Sequence, residues 1–315
     1  MLKISIIIPV YNAVAFLEKA VDSALQFDEV KEIILVEDKS TDNSLEICRK
    51  LAAENPRIQL FQHPDQGNHG AGASRNLGLE KASQDLIAFL DADDYYLPNR
   101  FEAEKELFKN EKIEGVFGAI GTEFLSEKGK KEFEEKFKNV ELTTVKKHAE
   151  GKDVFHGLIG VDKSFGYFFH LNGLTVRRES IKKNQLKFNE NLRVHQDSDF
   201  IIKLSFHCDL KSGIIDKAIA IRGVHDDNRI TKIKPYSAKF YKNHLLLQQS
   251  IYQWSKSINL DKISAKNIKL NYLSYKLANE NGFRKYFNFF KTCILNPEFF
   301  KMKYRFHALN KTEDA

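Results

Sequence analysis

Residues 86–94 read LIAFLDADD, an apolar run that is followed directly by three carboxylates. The apolar part predicts a strand that is buried on both faces. In the extended segment after it, successive side chains point in opposite directions, so Asp91 and Asp93 face the same way and Ala92 faces inward. Such a pair just beyond a strand predicts a binding site, although Asp93 and Asp94 could also merely cap the next helix.

The residues before this stretch repeat the strand pattern three times. Residues 3–10, 32–36 and 58–61 predict buried strands, and the segments between them carry apolar residues at helical spacing. This alternation predicts the α/β class, with an open parallel sheet and helices on both faces. Ligands bind such sheets beyond the carboxyl ends of the strands. Here those ends carry polar residues from three segments: 9–12, 37–38 and 91–94.

The acidic strand ends predict a metal and a phosphate-bearing ligand. Carboxylates that cluster at neighbouring strand ends repel one another and need a cation or hydrogen-bond donors. Oxygen ligands favour Mg²⁺ or Mn²⁺, which bridge to substrate phosphates. The loop at residues 63–76 begins a helix, where backbone amides and Arg75 favour contacts with phosphate oxygens. It lacks the third glycine of the dinucleotide fingerprint and follows the third strand, which argues against a nicotinamide cofactor.

Composition and charge set further limits. The 315 residues suffice for about two domains, and the 42% of hydrophobic residues excludes wholesale disorder. Three cysteines without metal-ligand spacing favour a reducing cytoplasm over a disulfide scaffold. We expect no spanning helix and no signal peptide. Residues 235–315 hold 14 Lys+Arg and 5 Asp+Glu, a net +9, which leaves −3 for residues 1–234 and indicates an anionic partner for the C-terminal region.

Four segments together resemble family 2 glycosyltransferases with the GT-A fold. They are Ser5-Ile-Ile-Ile-Pro-Val-Tyr-Asn12, Val36-Glu-Asp-Lys-Ser-Thr-Asp42, Gly72-Ala-Ser-Arg-Asn-Leu-Gly78 and Phe89-Leu-Asp-Ala-Asp-Asp94. The resemblance is strong over roughly the first third of the chain and looser to about Thr231. It implies a mostly parallel, Rossmann-like sheet flanked by helices, a nucleotide-sugar donor that is most often UDP-linked, and transfer with inversion.

Carried over residue by residue, the resemblance places the donor against the strand ends. The implied donor-binding set is Pro9, Tyr11, Asn12, Glu37, Asp38, Lys39, Arg75, Asp91, Ala92 and Asp93. Asp93 is the implied main ligand of Mn²⁺ or Mg²⁺, with Asp91 on the ribose or the metal. The chain departs from the family at residues 37–40, where Glu-Asp-Lys-Ser replaces Asp-Asp-Gly-Ser. Lys39 in place of glycine would alter the turn or add a contact to phosphate or base.

The second half of the chain resembles the part of the family that supplies the general base. Residues 195–199 read His-Gln-Asp-Ser-Asp where the family usually has Glu-Asp before a helix. The resemblance implies that Asp197 removes the proton of the acceptor hydroxyl, with Asp199 as the second candidate. Both could instead be helix-start carboxylates that favour the helix dipole.

Three histidines are further candidates. Residues 219–231 resemble a strand end that the family writes Arg-x-x-His-x-x-Asn. This implies His225 as a further ligand of the metal or the diphosphate, although a histidine at a strand end is often structural. His170 and His195 are candidates for the wall of an acceptor pocket.

We predict a catalytic domain over residues 1–234 and a basic helical region over residues 235–315. The catalytic domain would comprise a donor half, 1–100, and an acceptor and base half, 101–234. In the helical region Phe283, Tyr286, Phe287 and Phe290 recur at helical spacing among cationic residues. They favour either the core of an ordinary helical subdomain or an amphipathic segment that makes peripheral contact with an anionic membrane. No base-reading motif accompanies the charge, so we expect no nucleic-acid partner.

The sequence thus predicts a cytoplasmic glycosyltransferase. It would move one sugar from a nucleotide-diphosphate sugar to a glycan or a lipid-linked acceptor in cell-surface polysaccharide synthesis. Two alternatives stay open. One is a non-catalytic nucleotide-sugar-binding scaffold, which Gln196 and Lys39 allow. The other is a metal-dependent phosphatase, which is disfavoured because Tyr95 occupies the position of the Thr or Val in Asp-x-Asp-x-Thr/Val.

Overall fold

Ten strands and twelve α-helices make up the part of the chain that the computed structural model describes, residues 1–136, 141–166, 168–226, 228, 233–301 and 305–309. The strands β1 to β10 are, in chain order, Ile4–Val10, Val30–Glu37, Ile58–Gln62, Leu86–Phe89, Tyr95–Tyr96, Gly115–Phe117, Ala119–Phe124, Leu174–Arg177, Leu210–Ser212 and Ala218–Val224. The helices α1 to α12 are Leu17–Leu25, Ser44–Glu54, Ala71–Lys81, Glu102–Leu107, Glu127–Lys136, Lys152–Leu158, Arg178–Lys183, Gln196–His207, Ala238–Ser255, Lys262–Ala278, Gly282–Leu295 and Arg305–Leu309. Short 3₁₀ helices lie at Leu171–Gly173 and Pro297–Lys301.

The central sheet has seven strands in the order β3-β2-β1-β4-β8-β6-β9. β1 pairs in parallel with β2 on one side and with β4 on the other, and β2 pairs in parallel with β3. The carboxyl ends of these four strands therefore meet at one edge, as the sequence predicted. The α/β prediction is confirmed, but the sheet is mixed rather than parallel throughout. β8, from the second half of the chain, runs antiparallel to both β4 and β6.

A second sheet of three strands, β5-β10-β7, begins directly after the acidic segment. Residues 95–96 form β5, which pairs in an antiparallel manner with β10. Asp93 and Asp94 therefore do not cap a helix, because the chain first crosses to this sheet and α4 begins only at Glu102. The acidic segment is the connection between the two sheets.

The position of β1 between two cores explains why its sequence is apolar without alternation. Ile6 and Ile8 belong to the core that includes α1 and α2, whereas Ile7 belongs to the core on the opposite face with α3 and α8. Both faces of β1 are thus buried, as is typical of a central parallel strand. Gly78 allows α3 to approach closely, since a Cβ there would lie 2.4 Å from Ile7 Cγ2.

The first two helices begin after polar turns. Asn12 does not cap α1, which begins at Leu17; it has a φ of 50° and bonds to the loop after β2. Its Oδ1 accepts from the Thr41 amide at 2.8 Å and its Nδ2 donates to Thr41 Oγ1 at 3.1 Å. α2 begins at Ser44, whose amide donates to Asp42 Oδ1 at 3.0 Å.

The C-terminal helices pack on the α/β part of the fold through α9. This helix contacts α8 and α10, and its Leu247 and Ile251 share a core cluster with Ile7. The division at residue 234 stays a prediction. In the described part of the chain no helix combines the length and the hydropathy that crossing a bilayer requires.

The four aromatic residues that the sequence pattern selected in α11 are not core, contrary to one of the two sequence interpretations. The small core beside α11 contains Phe289 and Phe299. The four aromatics at helical spacing are instead exposed: Phe283, Tyr286, Phe287 and Phe290. Helix α11 therefore packs through its other side, which the sequence pattern did not predict.

Arg100 is fully buried and connects α4 with the segment that leads into β8. Its Nη1 lies 2.5 Å from Glu104 Oε1 in α4. Its Nε donates to the Asn172 carbonyl at 2.9 Å and its Nη2 to the Leu174 carbonyl at 3.1 Å. The guanidinium also lies 4.9 Å from the centre of the Tyr96 ring.

Replacing Arg100 with methionine should lower the free energy of unfolding by about 3–5 kcal/mol, because Glu104 would keep a buried charge without its partner. Urea unfolding followed by circular dichroism measures this loss. Arg49→Met is the control: Arg49 pairs with Glu46 at 2.6 Å on the surface, where removal should cost under about 1 kcal/mol. Equal losses in the two variants would contradict the role assigned to Arg100.

Candidate active site

A cleft of about 2180 Å³ opens at the carboxyl ends of β1, β2 and β4. Most of the sequence-predicted residues line it: Pro9, Tyr11, Asn12, Arg75, Asp38, Asp91, Ala92, Asp93, Asp197, His225, and also His170 and His195. Three predicted residues do not line it: Glu37, Lys39 and Asp199. The structure thus brings donor-side, base and histidine candidates into one continuous cavity.

Asp38 shapes one wall of the cleft by holding the loop before α3. Its Oδ1 accepts from the His69 amide and its Oδ2 from the Gly70 amide, each at 2.7 Å. Its carbonyl accepts from Asn68 Nδ2 at 2.8 Å. The side chain is buried, and both of its oxygens are used by the protein itself. Its contribution in this structure is to fix the loop that borders the cleft.

Glu37 and Lys39 build the turn that follows β2. Buried Glu37 accepts from the Ser40 amide at 2.5 Å and from Gln62 Nε2 at 2.7 Å. Lys39 has a φ of 59°, the left-handed region that glycine occupies without strain. The lysine therefore keeps the glycine-like backbone, at a cost of roughly 1–2 kcal/mol. An effect of Lys39 on the turn, or on a contact to phosphate or base, stays a prediction.

Arg75 and Asp91 form an ion pair at the centre of the cleft, with Nη2 and Oδ1 2.5 Å apart. Burial favours the neutral form of Asp91, but the Arg75 guanidinium and the neighbouring His170 hold the pKa of this carboxyl below its ordinary value. Asp91 is therefore a carboxylate at neutral pH. The Arg75 Nε is buried and has no hydrogen-bond partner among the described residues.

Asp94 anchors β10 and β8 to the acidic segment, a role that sequence reasoning missed. Its Oδ1 accepts from the Gly223 amide at 2.9 Å, and its Oδ2 accepts from Asn172 Nδ2. Burial, together with the neighbouring carboxylates of Asp93 and Asp91, raises the pKa of Asp94 well above its ordinary value. The only sequence signal was a further aspartate directly after Asp93, but the partners of Asp94 are 78 and 129 residues away in sequence.

Asp93 and His225 meet as the resemblance implied. Asp93 Oδ2 lies 3.2 Å from His225 Nε2 and accepts from Asn228 Nδ2 at 3.1 Å. The His225 ring packs against Phe16, with their centroids 4.7 Å apart. One oxygen of Asp91 and one of Asp93 receive no hydrogen bond from the residues that the structure describes. Oxygens of this kind, with an imidazole beside them, suit Mg²⁺ or Mn²⁺.

A second group of possible metal ligands lies next to the first. Ligand atoms of Asp91, Asp94 and His170 all lie within 4.8 Å of one another. However, His170 Nδ1 accepts from the Asn172 amide at 3.2 Å, so the proton of the neutral ring is on Nε2. Burial, and then the Arg222 guanidinium, lower the pKa of His170 to about 4. In this arrangement His170 offers a hydrogen-bond donor to the cleft rather than a metal-binding lone pair. Sequence reasoning did not select Arg222, which also lines the cleft.

The start of α8 separates the two base candidates. Asp197 lines the cleft in the first turn of the helix. Asp199 is fully buried and pairs with Lys203 at 2.6 Å, away from the cavity wall. Gln196 packs against α3, since a Cβ on Gly72 would lie 2.5 Å from its Oε1.

Comparison with known proteins agrees with this geometry. Residues 5–172 match the family described as Glycosyl transferase family 2. An uncharacterized glycosyltransferase of Haemophilus influenzae is 44% identical over 102 residues, which are 32% of this chain and 40% of that protein. The chondroitin synthase of Pasteurella multocida is 36% identical over 116 residues, 36% of this chain and 12% of that protein. The chain thus spans well under half the length of these curated relatives.

Solved structures share the fold. The crystal structure of S. aureus TarS residues 1–349 in complex with UDP-GlcNAc has a TM-score of 0.63 and 18% identity, and covers 98% of this chain and 80% of that one. The mannosyltransferase PcManGT from Pyrobaculum calidifontis, in complex with GDP-Man and Mn²⁺, has a TM-score of 0.53 and 13% identity, covering 98% and 85%. The GT-A fold prediction is confirmed. Because the family match covers more than half of the 315 residues, this chain belongs to glycosyl transferase family 2.

Proposed function

We propose that this chain transfers a sugar from a nucleotide-diphosphate sugar to an acceptor hydroxyl with inversion, in the synthesis of a cell-surface polysaccharide. The observation that carries the proposal is that Asp91, Asp93, Arg75 and Asp197 line one cleft. Family membership supports it, as does the presence of chondroitin synthase and hyaluronan synthase among the relatives.

The donor would bind at the ends of β1 and β4, with the nucleoside beside Pro9 and Tyr11. UDP is the proposed nucleotide because two similar structures hold UDP-GlcNAc or UDP, while a third holds GDP-Man. Arg75 and Arg222 provide positive charge beside Asp91 on the cleft wall. That charge suits the diphosphate, whose negative charge grows as the sugar leaves.

Asp93, Asp91 and His225 would hold Mn²⁺ or Mg²⁺. The fit rests on the oxygens of the two aspartates that lack a donor and on the imidazole beside Asp93. A divalent cation at this place neutralises diphosphate charge. His225 Nε2, which lies 3.2 Å from Asp93 Oδ2, orients that carboxylate in the structure described here.

Asp197 is the proposed general base. It lies in the first turn of α8, where its Oδ1 accepts a hydrogen bond from the Ser198 amide at 2.8 Å. The acceptor hydroxyl would donate its hydrogen bond to this carboxylate. As the acceptor oxygen bonds to the anomeric carbon, the bond to the diphosphate oxygen breaks with its electron pair, and the hydroxyl proton passes to Asp197. The diphosphate and the base would lie on opposite sides of the sugar, as inversion requires.

The acceptor would enter along α9 and α10. The cleft continues there past Phe240, Leu247, Ile251 and Tyr275, and past lysines at positions 262 and 266. Aromatic and aliphatic walls with a cationic border suit a glycan or the lipid-linked form of one. The three cysteines are free thiols, which supports a cytoplasmic location.

Gln196 is, with Lys39, one of the two residues that allow a non-catalytic scaffold. Its side chain packs against Gly72, whereas the adjacent Asp197 keeps a carboxylate on the cleft wall. A site that lost its chemistry has no need of a carboxylate at that place. We therefore favour sugar transfer over non-catalytic binding of the nucleotide sugar.

Isothermal titration calorimetry tests the donor site. We expect UDP to bind in the presence of Mn²⁺ and to lose most of its affinity after chelation with EDTA. A panel of UDP- and GDP-sugars should then show slow hydrolysis of one donor above the others. If no nucleotide binds with either metal, the proposed function is wrong.

Asp93→Asn should weaken Mn²⁺-dependent UDP binding by about tenfold or more, because a neutral amide is a poor ligand for a hard cation. His225→Asn should weaken it less. Glu123→Gln, which alters an exposed pair with Lys19, is the control and should bind normally. If His170→Asn abolishes the metal dependence and His225→Asn does not, the metal binds the Asp91, Asp94 and His170 group instead.

Asp197→Asn should lower kcat for transfer by about 10²–10⁴-fold while UDP binding is unchanged, because only proton removal is lost. Steady-state transfer and calorimetry measure the two effects. Asp199→Asn is the matched comparison, because it removes the ion pair between a buried carboxylate and the partly buried Lys203. It should lower the unfolding temperature and leave kcat of the folded enzyme within a fewfold of normal. Normal turnover by Asp197→Asn would exclude it as the base.

A further inference from the structure

The helix α11 exposes a continuous apolar face. Phe283 is 85% exposed, Phe287 59%, Phe290 60% and Ile294 79%. These residues recur at intervals of three and four, so they lie in one row along the helix, with Tyr286 beside them. We call this row, residues 283, 286, 287, 290 and 294, the α11 face. Its aromatic rings alone expose roughly 500 Å², which is at the upper end of what soluble monomers show.

The opposite side of the helix is the one that packs. Phe289 and Cys293 are buried in the small core with Phe299. The α11 face is therefore not produced by a helix that lacks its contacts, because the helix is anchored by its other side. An apolar row that points outward from an anchored helix fits an apolar or interfacial environment.

Cationic residues border the α11 face. Arg284 and Lys291 are exposed and lie seven residues apart, on the same flank of the row. Phe300 and Lys301 extend the same combination into the next short helix, and both are exposed. Residues 282–295 contain no Asp or Glu. The face thus combines exposed aromatics with positive charge at its edge.

The acidic residues nearest in sequence lie just outside α11, and both bond to side chains of the protein. Glu298 pairs with Lys266 at 2.5 Å, and Glu280, before the helix, accepts from Asn288 Nδ2 of α11 at 2.7 Å. A symmetric dimer through the α11 face would bring two copies of Arg284 and Lys291 together with no carboxylate of α11 between them. Charge complementarity therefore favours an anionic partner over a second copy of this chain.

We propose that the α11 face docks on an anionic lipid bilayer. The aromatic row would lie in the interface between headgroups and acyl chains, and Arg284 and Lys291 would contact lipid phosphates. This inference does not depend on the proposed function. It would explain the excess of positive charge in residues 235–315. Lys301, next to Phe300, also lines the cleft, so a docked protein would have the end of its cleft near the bilayer.

Flotation with lipid vesicles tests the proposal on the full chain. The vesicles are phosphatidylcholine alone and phosphatidylcholine mixed with phosphatidylglycerol. We expect the unaltered chain to float with the mixed vesicles and not with the neutral ones. Phe287→Ser combined with Phe290→Ser should weaken the binding by about tenfold or more. Arg284→Gln combined with Lys291→Gln should weaken it by a similar factor.

Leu246→Ser is the matched control, because Leu246 is an exposed apolar residue on α9 outside the cleft wall. It should float like the unaltered chain. All altered side chains are exposed, so thermal unfolding and donor binding should be unchanged, and calorimetry with UDP separates this test from that of the active site.

Three results would overturn the inference. The first is a chain that does not float with the mixed vesicles, and the second is equal flotation with both kinds. The third is a dimer in sedimentation velocity that the double serine variant dissociates, which would make the α11 face an interface between copies.

Discussion

Repulsion among the carboxylates of residues 91–94 is the constraint on which the site depends. Ionised oxygens of Asp91 and Asp94 within 4.8 Å of each other would repel by about 3 kcal/mol at an effective dielectric constant of 20. The protein relieves this with donors from separate elements. Arg75 comes from α3, Asn172 from the 3₁₀ helix before β8, and the Gly223 amide from β10. The same contacts that make the charge tolerable therefore hold both sheets around the cleft.

How far the sequence predicts this arrangement depends on the range of the interactions. The first four strands and their common edge follow from local patterns, because a strand buried on both faces is apolar throughout. The acidic pair could be recognised because it follows such a strand directly. The antiparallel β8 could not be predicted, since its pairing with β4 joins residues almost ninety positions apart.

Roles within the site were harder to predict than positions. Asp197 and Asp199 have the same local sequence context, and only the packing of α8 shows that one lines the cleft while the other is buried against Lys203. The sequence selected His170 for the pocket wall but gave no sign of its tautomer, which follows from one backbone amide two residues on. The spacing of the aromatics in α11 fitted both a core and a membrane-contacting segment. Periodicity shows that residues share one face of a helix, but it does not show whether that face is buried.

The capture of the loop before α3 by Asp38 bears on how tightly the proposed nucleotide would bind. Fixing the backbone of a flexible residue costs about 1–2 kcal/mol of entropy, and a loop that a ligand must order subtracts that cost from its affinity. Here the amides of His69 and Gly70 are already held by a buried carboxylate in the free protein. This border of the pocket is preorganised, so its share of the binding energy is available without a disorder-to-order transition.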